Sequence, residues 1–529
     1  MSSNLPINQG VFCTLRGKSK DNSKLLFVNV NLRAESKGSE LLPVGLASVM
    51  TYVDKVGGYN FDLLDININK MTDPDVERFI KENHYDCILL GCIVTHYKWV
   101  KWFLNMARSH QPHTMLIVGN SVGSSCPDVL MANSPVDVIV VGEGEVSCLA
   151  SLEAIRNNED LHEVEGIAFR GEDGIVVTNK KRKAANINTL PMIEWSYFDM
   201  AKYFNSETSQ LEAYGSEHDQ QLRIMPMITA RGCAFKCSFC HYVFWDDPYR
   251  HRSADSIVEE IKRNVEVYDV SYISFWDDLS FASAKQVEPI ADAIIDSGIK
   301  FDWNAAVRVD LFSRNKLNRK ESLRIAEKMK KAGCRAVSFS LESANKKILE
   351  MMNKKIDAND FGETVYIMRK AGISITTSVV FGYPLETKET IRETFEMCFK
   401  FKVYPSIGFL MPLPSTGMYK YAKEHGYITD EDAYLDLITE RQDITLNMTQ
   451  MTDESIMNEI ESGAESLNKM LKLNLTKDTY IRTAGKQMQD TQGDIELVDQ
   501  KNLKRKENDL SLSYSEATFD QRKELGLRE

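Results

Sequence analysis

Three cysteines constrain this chain more than any other feature. They lie in Thr229-Ala-Arg-Gly-Cys233-Ala-Phe-Lys-Cys237-Ser-Phe-Cys240-His241, a C-x-x-x-C-x-x-C spacing. Directly before them runs the apolar stretch Arg223-Ile-Met-Pro-Met-Ile-Thr229, which reads as a strand. A tight loop with three thiolates can hold three corners of an iron–sulfur cube, and soft sulfur ligands suit such clusters or zinc. With no fourth cysteine in the loop, one metal corner stays open to a substrate or cosubstrate. The pattern points to a chemical site on the loop after a strand.

Beyond the cysteines the chain alternates strand with helix. Arg252-Ser-Ala-Asp-Ser opens a helix with Ser253 as its N-cap and Ile257, Ile261 and Val265 as its apolar stripe. Four further strand-like runs are Tyr272-Ile-Ser-Phe-Trp-Asp277-Asp278, Phe301 to Arg308, Ala336 to Ser343 and Ile373 to Gly382. Ser406 to Pro414 is the last, which with the run before the cysteines makes six strand–helix units between Arg223 and about Glu424. Polar residues gather at the strand ends, where barrel enzymes place their chemistry.

Before the cysteines lies a second alternating region, about residues 24 to 180. Leu25-Leu-Phe-Val-Asn-Val30, Phe61 to Ile66, Cys87 to Gly91, Met115 to Gly119 and Asp137 to Val141 are continuous apolar runs. Runs of this kind suit parallel strands buried on both faces. Val44 to Val56 reads as a helix with Ala47, Met50, Val53 and Val56 on one face and Gly57-Gly58 as its stop. The expected fold is α/β: a doubly wound, Rossmann-like parallel sheet, then a partial six-stranded (β/α) barrel, then a helical C-terminal region. In such a sheet ligands bind at the strand carboxyl ends. Those ends carry Pro43-Val44-Gly45-Leu46, Thr95-His96, Gly119-Asn-Ser121-Val-Gly123 and Gly142-Glu143-Gly144-Glu145. Each glycine alone reads as an ordinary turn; no G-x-G-x-x-G follows the first strand, so a dinucleotide site is disfavoured.

The cysteine spacing, with the ordered strand-end residues, resembles the radical SAM superfamily. The earlier sheet looks like the cobalamin-binding domain that precedes many radical SAM barrels. The resemblance implies a 4Fe–4S cluster on Cys233, Cys237 and Cys240. It implies S-adenosylmethionine (SAM) near Phe239, Asp277, Asp278, Arg308, Glu342, Ser343, Gly382 and Pro384. It implies cobalamin near Pro43, Val44, Gly45, Leu46, Thr95, His96, Gly119, Ser121, Gly123, Gly142, Glu143 and Gly144. The chain departs from the wider cobalamin-binding group in one respect: with no histidine before His84, the loop after the first strand cannot supply one to cobalt. Ser415 stands where the sixth barrel strand's family pattern has glycine.

The activity so implied is reductive SAM cleavage to a 5′-deoxyadenosyl radical, with methylation of an unactivated carbon of a small molecule through methylcobalamin. An electron donor such as flavodoxin or ferredoxin is implied as a partner. Cobalamin-containing relatives that close or contract rings without methyl transfer form the alternative. A reading from another class is non-catalytic: a corrinoid sensor, or a zinc protein using Cys233, Cys237, Cys240 and His241.

Composition narrows the classes. A formal net charge of -12 argues against a general nucleic-acid binder. No apolar run approaches a membrane span, the start lacks a signal peptide's apolar segment, and the ten cysteines are scattered apart from the trio. These features suit a cytoplasmic protein with reduced thiols. The expected division is 24–180 for the cobalamin-binding domain, 181–222 for a linker, 223–425 for the barrel, 426–485 for C-terminal helices and 486–529 for a mobile tail. Thr452 is expected to start a helix with Ile456, Ile460, Leu467 and Leu471 on one face.

Overall fold

A computed structural model describes residues 13–14, 23–30, 40–171, 174, 176–206, 222–241, 247–312, 317–438, 444–477 and 480–481. The tail expected at 486–529 lies outside the described residues. Among the described residues no helix is long and apolar enough to cross a membrane. The chain forms two compact units: one takes in residues 1–209, 241–247 and 430–438, the other the remainder.

The first unit is built on an eight-stranded sheet. Its strands are β1 (Cys13–Thr14), β2 (Leu25–Asn29), β3 (Asp62–Asp65), β4 (Cys87–Gly91), β5 (Met115–Gly119), β6 (Val138–Val140), β7 (Ile167–Arg170) and β8 (Val176–Thr178). The spatial order is β1-β3-β2-β4-β5-β6-β7-β8. β3, β2, β4, β5 and β6 run parallel, with Leu26 opposite Asp62 and Leu25 opposite Cys87. β1 and the β7–β8 pair join antiparallel at the edges. The order of connection reverses between β2 and β4, the switch point where doubly wound sheets open a crevice. All five residues of β2 are buried, as a central parallel strand requires. The helix Val44–Lys55 buries Ala47, Met50 and Val53. Val56 departs from the expected stripe: it is the C-cap and 50% exposed, because the helical turn ends before it can face inward.

Residues 194–206 come after the sheet and are bonded to it. Glu194 N donates to Thr51 Oγ1 (2.9 Å) and Tyr197 Oη to Asp54 Oδ2 (2.6 Å). Tyr203 Oη donates to Asp65 Oδ2 (2.8 Å), while Asn29 Nδ2 donates to Asp65 Oδ1 (2.8 Å) and to Tyr203 Oη (3.0 Å). All three side chains are buried at the carboxyl ends of β2 and β3. Burial pushes the Asp65 carboxyl up to about 6, against the pull of these hydrogen bonds. Far along the chain, the helix Glu431–Leu437 also packs in this unit, on helices Tyr97–His110 and Pro127–Asn133. Lys101 Nζ meets Asp432 Oδ1 (2.9 Å) and Asp436 Oδ2 (2.8 Å), and Tyr97 Oη donates to Asp432 Oδ1 (2.6 Å).

The second unit is the barrel. β9 (Ile224–Met227), β12 (Tyr272–Phe275), β13 (Asp302–Val307), β14 (Cys334–Phe339) and β15 (Ser374–Thr376) form one parallel sheet in the order β15-β14-β13-β12-β9. β16 (Ser378–Phe381) pairs parallel with β17 (Ser406–Phe409). Between β9 and β12, the short β10 (Ala230–Arg231) and β11 (Arg250–His251) pair antiparallel. The run expected as one fifth strand is interrupted at Thr377, whose hydroxyl donates to Phe339 O (2.7 Å). The sheet is carried across this break by a parallel bridge from Glu342 to Val379, with Glu342 N to Ser378 O and Val380 N to Glu342 O both 3.0 Å. The six-stranded partial barrel is thus present, with its fifth strand in two pieces. Ser253 caps the helix Ala254–Tyr268, as its sequence indicates, accepting from Ser256 N (3.2 Å).

Removing the Tyr203 hydroxyl leaves Asp65 short of a buried donor. Tyr203→Phe is expected to destabilise the first unit by about 1–3 kcal/mol, read as an earlier transition in urea unfolding.

Candidate functional site

The cysteine loop is clipped at its base and stitched along its length. β10 and β11 close its two ends, with Arg231 opposite Arg250, and Gly232 turns the chain with φ 79. Such a positive φ costs glycine nothing. Asp277, just beyond β12, holds the approach: it accepts from Thr229 N (2.7 Å), Thr229 Oγ1 (2.6 Å) and Ala230 N (2.9 Å). Ser238 N and Oγ donate to Met352 O and Met351 O, each at 2.8 Å, and Met418 N donates to Ser238 O (2.9 Å). Asn353 Nδ2 donates to Lys236 O (2.6 Å).

The three cysteines of this loop form no disulfide; Cys237 is buried, and Cys233 and Cys240 are half-buried. Burial pushes all three thiols up, Cys240 to about 12, while the charges of Lys354 and Arg308 pull Cys233 and Cys237 back. Among the described residues no three His, Cys, Asp or Glu side chains converge as one bound ion requires. A structural zinc draws its ligands to within about 2.0–2.3 Å of one point. A cube of irons takes each cysteine on its own iron, and the three unbridged thiols of this loop supply that donor set.

Around the loop stand the residues expected to meet SAM. Glu342 sits just past β14 with φ 63, a left-handed conformation rare outside glycine. It is buried; Lys354 Nζ donates to its Oε1 (2.8 Å), and its Oε2 is buried without a partner. A buried carboxylate oxygen left open is what a ligand's amine or hydroxyl would satisfy. Tyr383, between Gly382 (φ 97) and Pro384, is fully buried, with its hydroxyl toward Ser238 of the loop. Its ring lies edge-on to Phe239 at 6.3 Å between centroids. Asp278 is exposed at its surface; the protein crowded around its carboxyl raises it, and the Gly232 backbone N–H opposes that shift.

Three expected SAM residues are engaged within the protein. Asp277 spends both oxygens on the loop approach, and burial raises it to about 6. Arg308 stacks its guanidinium over Phe235 at 3.5 Å, pairs with Asp310 (2.9 Å) and donates to Lys355 O (2.8 Å). Ser343 Oγ accepts from Asn345 N (3.1 Å) ahead of the helix Lys346–Met351. Lys354, Tyr383 and the buried Glu386, raised to about 7 by burial, went unread in the sequence. Their signal was faint: a lysine and an acid beside strand ends look like surface residues until the fold buries them.

In the first unit the residues expected at cobalamin all lie at or beyond the carboxyl ends of the parallel strands. The helix at Val44 starts after Pro43 with no side-chain cap, and a Cβ on Gly45 would meet nothing within 4 Å. Val44 N is taken by Leu42 O (3.0 Å), so such a start offers the amides that follow it to a polar ligand. His96 ends the turn after β4; burial pushes it down to about 4, keeping the ring neutral, and its Nδ1 is buried without a partner. Ser121 Oγ accepts from Val94 N (2.9 Å), and Ser124 Oγ from Gly142 N (3.0 Å), lacing these ends together. Gly119 ends β5, and Thr95 precedes His96 half-buried. The glycines divide by function. Gly142 turns with φ 85, Gly123 would place a Cβ 2.8 Å from Ile139, and Gly144 one 3.0 Å from Val49, so the last two serve close packing. The bare helix start and the open imidazole nitrogen suit a large polar ligand.

Two family models match these two regions. Residues 31–151 match the B12 binding domain, and residues 227–398 match the radical SAM superfamily. The chain carries a radical SAM domain and a B12-binding domain. A 4Fe–4S cluster, SAM and cobalamin are the cofactors of that pairing. The chain is 24% identical over 384 residues to an uncharacterized methyltransferase of Pyrococcus horikoshii, covering 72% of this chain and 78% of that protein. It is 24% identical over 425 residues to the anaerobic magnesium-protoporphyrin IX monomethyl ester cyclase of Cereibacter sphaeroides, covering 78% of this chain and 65% of the cyclase. The fold is similar to that of the radical SAM methyltransferase TsrM from Kitasatospora setae, with TM-score 0.61, 16% identity and 77% of each chain covered.

Asp277→Asn keeps the shape and an acceptor for the Thr229 and Ala230 amides, but it removes the charge and sets a donor against the Thr229 hydroxyl. It is expected to cost about 1–3 kcal/mol at the loop approach and to lower the iron and sulfide bound per chain after reconstitution.

Proposed function

We propose that this protein is a cobalamin-dependent methyltransferase that methylates an unactivated carbon of a small molecule. The observation that carries the reading is the pairing of three unbridged thiols with the buried, unpartnered Glu342 oxygen beside the same loop. The matched domains and the methyltransferase relatives support it. When bound, the cluster, SAM and cobalamin supply one-electron cleavage of SAM and a methyl group delivered to a carbon radical.

The chain's own part is binding and orientation. In this reading Cys233, Cys237 and Cys240 hold the cluster, Glu342 accepts from a polar group of SAM, and Phe239 with the Gly382–Pro384 turn borders its adenine. Asp278 and Ser343 complete the SAM side; Asp277 and Arg308 hold the loop in place. Lys354 pairs with Glu342 and aims it. The Pro43–Leu46 helix start, Thr95-His96, the Gly119–Gly123 segment and the Gly142–Gly144 turn hold cobalamin. Residues 24–180 form its domain, 181–222 a linker and 223–425 the SAM barrel, with 426–485 as C-terminal helices. A protein electron donor such as flavodoxin or ferredoxin, and a cytoplasmic setting, belong to the same proposal. A ring-forming reaction without methyl transfer is the second reading, favoured by the likeness to the cyclase.

The two readings part on products. Anaerobic turnover of SAM with substrate is expected to give S-adenosylhomocysteine together with 5′-deoxyadenosine. 5′-Deoxyadenosine alone with a cyclised product supports the second reading, and no SAM cleavage under reduction overturns both. Glu342→Gln removes a charge from the open acceptor. SAM affinity is expected to fall about 10–100-fold, the equivalent of about 1.4–2.8 kcal/mol, with iron content retained.

A further inference from the structure

We infer that the surface outside the cysteine loop is the docking face for an acidic one-electron carrier protein. The inference rests on the reading of this loop as a cluster site. The chain as a whole is acidic, at -12, so an acidic partner meets repulsion over most of its surface. The region stitched to the loop is the reverse. Residues 345–357, Asn-Lys-Lys-Ile-Leu-Glu-Met-Met-Asn-Lys-Lys-Ile-Asp, carry four lysines against two acids, Glu350 and Asp357. Lys236 adds a charge from the loop itself, immediately before Cys237.

The structure brings these positions together. Ser238 is bonded to Met351 and Met352, Asn353 to the Lys236 carbonyl, and Arg308 bridges Phe235 of the loop to the Lys355 carbonyl. Lys236, Lys346, Lys347 and Lys355 are exposed, whereas Lys354 is turned inward onto Glu342. Of the acids nearby, Glu350 lies 3.8 Å from Lys346, Glu393 accepts from Asn345 and Asp357 accepts from Asn359, so the positive charge of the patch rests on Lys236, Lys347 and Lys355. Ala234 and Lys236 are exposed between half-buried Cys233 and buried Cys237, so the loop itself is the barrier between thiols and solvent. A positive patch on a negative molecule orients an acidic partner as well as attracting it. Here it directs such a partner to the thin side of the thiol loop. One electron then passes from the reduced carrier to the cluster; the carrier is oxidised by one electron and no atom moves between them.

The test uses the full-length, cluster-loaded protein and reduced flavodoxin, following bleaching of the cluster's visible absorbance by stopped flow. The triple variant Lys236→Glu, Lys347→Glu, Lys355→Glu is expected to be reduced at least about tenfold more slowly at low ionic strength, with weakened salt dependence. Photoreduced deazaflavin, which needs no docking face, is expected to bleach both proteins alike. Reversing Lys262, Lys285 and Lys300, exposed lysines on other helices and loops, is expected to leave the flavodoxin rate near that of the unaltered protein. An unchanged rate in the first variant, or an equal loss in the second, overturns the inference. If the triple variant loses iron, the single variants Lys236→Gln and Lys355→Gln decide the matter by the same two comparisons. The cluster-site reading fails separately: it falls if deazaflavin-reduced, unaltered protein makes no 5′-deoxyadenosine from SAM.

Discussion

The second unit depends on how its sheet crosses the break at Thr377. A strand that stopped there would leave β16 and β17 as a detached pair with unmet amides and carbonyls at its edge. Glu342 closes the gap by bonding through both its N–H and its carbonyl to the far side of the break. To do so it takes a left-handed backbone that costs a non-glycine residue about 1–3 kcal/mol. The same residue presents a buried carboxylate with one oxygen paired and one open. Strain and an unsatisfied acceptor at one position are what an over-determined binding site produces, and sheet continuity is what over-determines it. Residue 342 is therefore both a piece of the barrel's scaffold and a point of its chemistry.

Charge placement around the loop follows from dielectric. Taking a carboxylate out of water is costly unless donors or a cation replace its hydration. Asp277 receives three donors from the approach to the loop and becomes a fastener. Glu342 receives one cation and keeps an acceptor for a ligand. The two carboxylates lie at corresponding strand ends, and the difference in their roles comes from which partners the fold delivers. Arg308 shows the same logic for a cation: its face rests on Phe235, one edge takes Asp310 and another a carbonyl, so its charge is held beside the thiols without a free donor fork being required of it.

Much of this was legible in the sequence because it is local. Five central strands of the first sheet and six strand positions of the barrel appear as apolar runs, and caps such as Ser253 and Thr452 announce helices through one side chain. The expected stripe of the last long helix appears with Ile456, Ile460 and Leu467 buried, while Leu471 at its end is only half so. The two-piece fifth strand was not legible: Ile373 to Gly382 is an unbroken β-like run, and only the hydroxyl of Thr377, reaching the Phe339 carbonyl across the sheet, interrupts it. Nor could spacing show that Asp277 is saturated while Glu342 is not, since both are acids after apolar runs.

The least legible features are those made by residues far apart in the chain. Tyr203 closes a buried triangle with Asn29 and Asp65, 174 and 138 residues away. Lys101 and Tyr97 share Asp432 across 331 and 335 residues of chain. Neither end of such a pair has a local signature: Tyr203 reads as linker and Asp432 as an ordinary acidic residue in the first turn of a helix. Burial decides their meaning. An isolated Asp65 would not be tolerated at the end of a central strand, so its position there requires donors from elsewhere, and the only question the sequence leaves open is which distant segment supplies them. The hydrophobic pattern sets where the strands lie; the need to satisfy what they bury sets which remote segments must return to cover their ends.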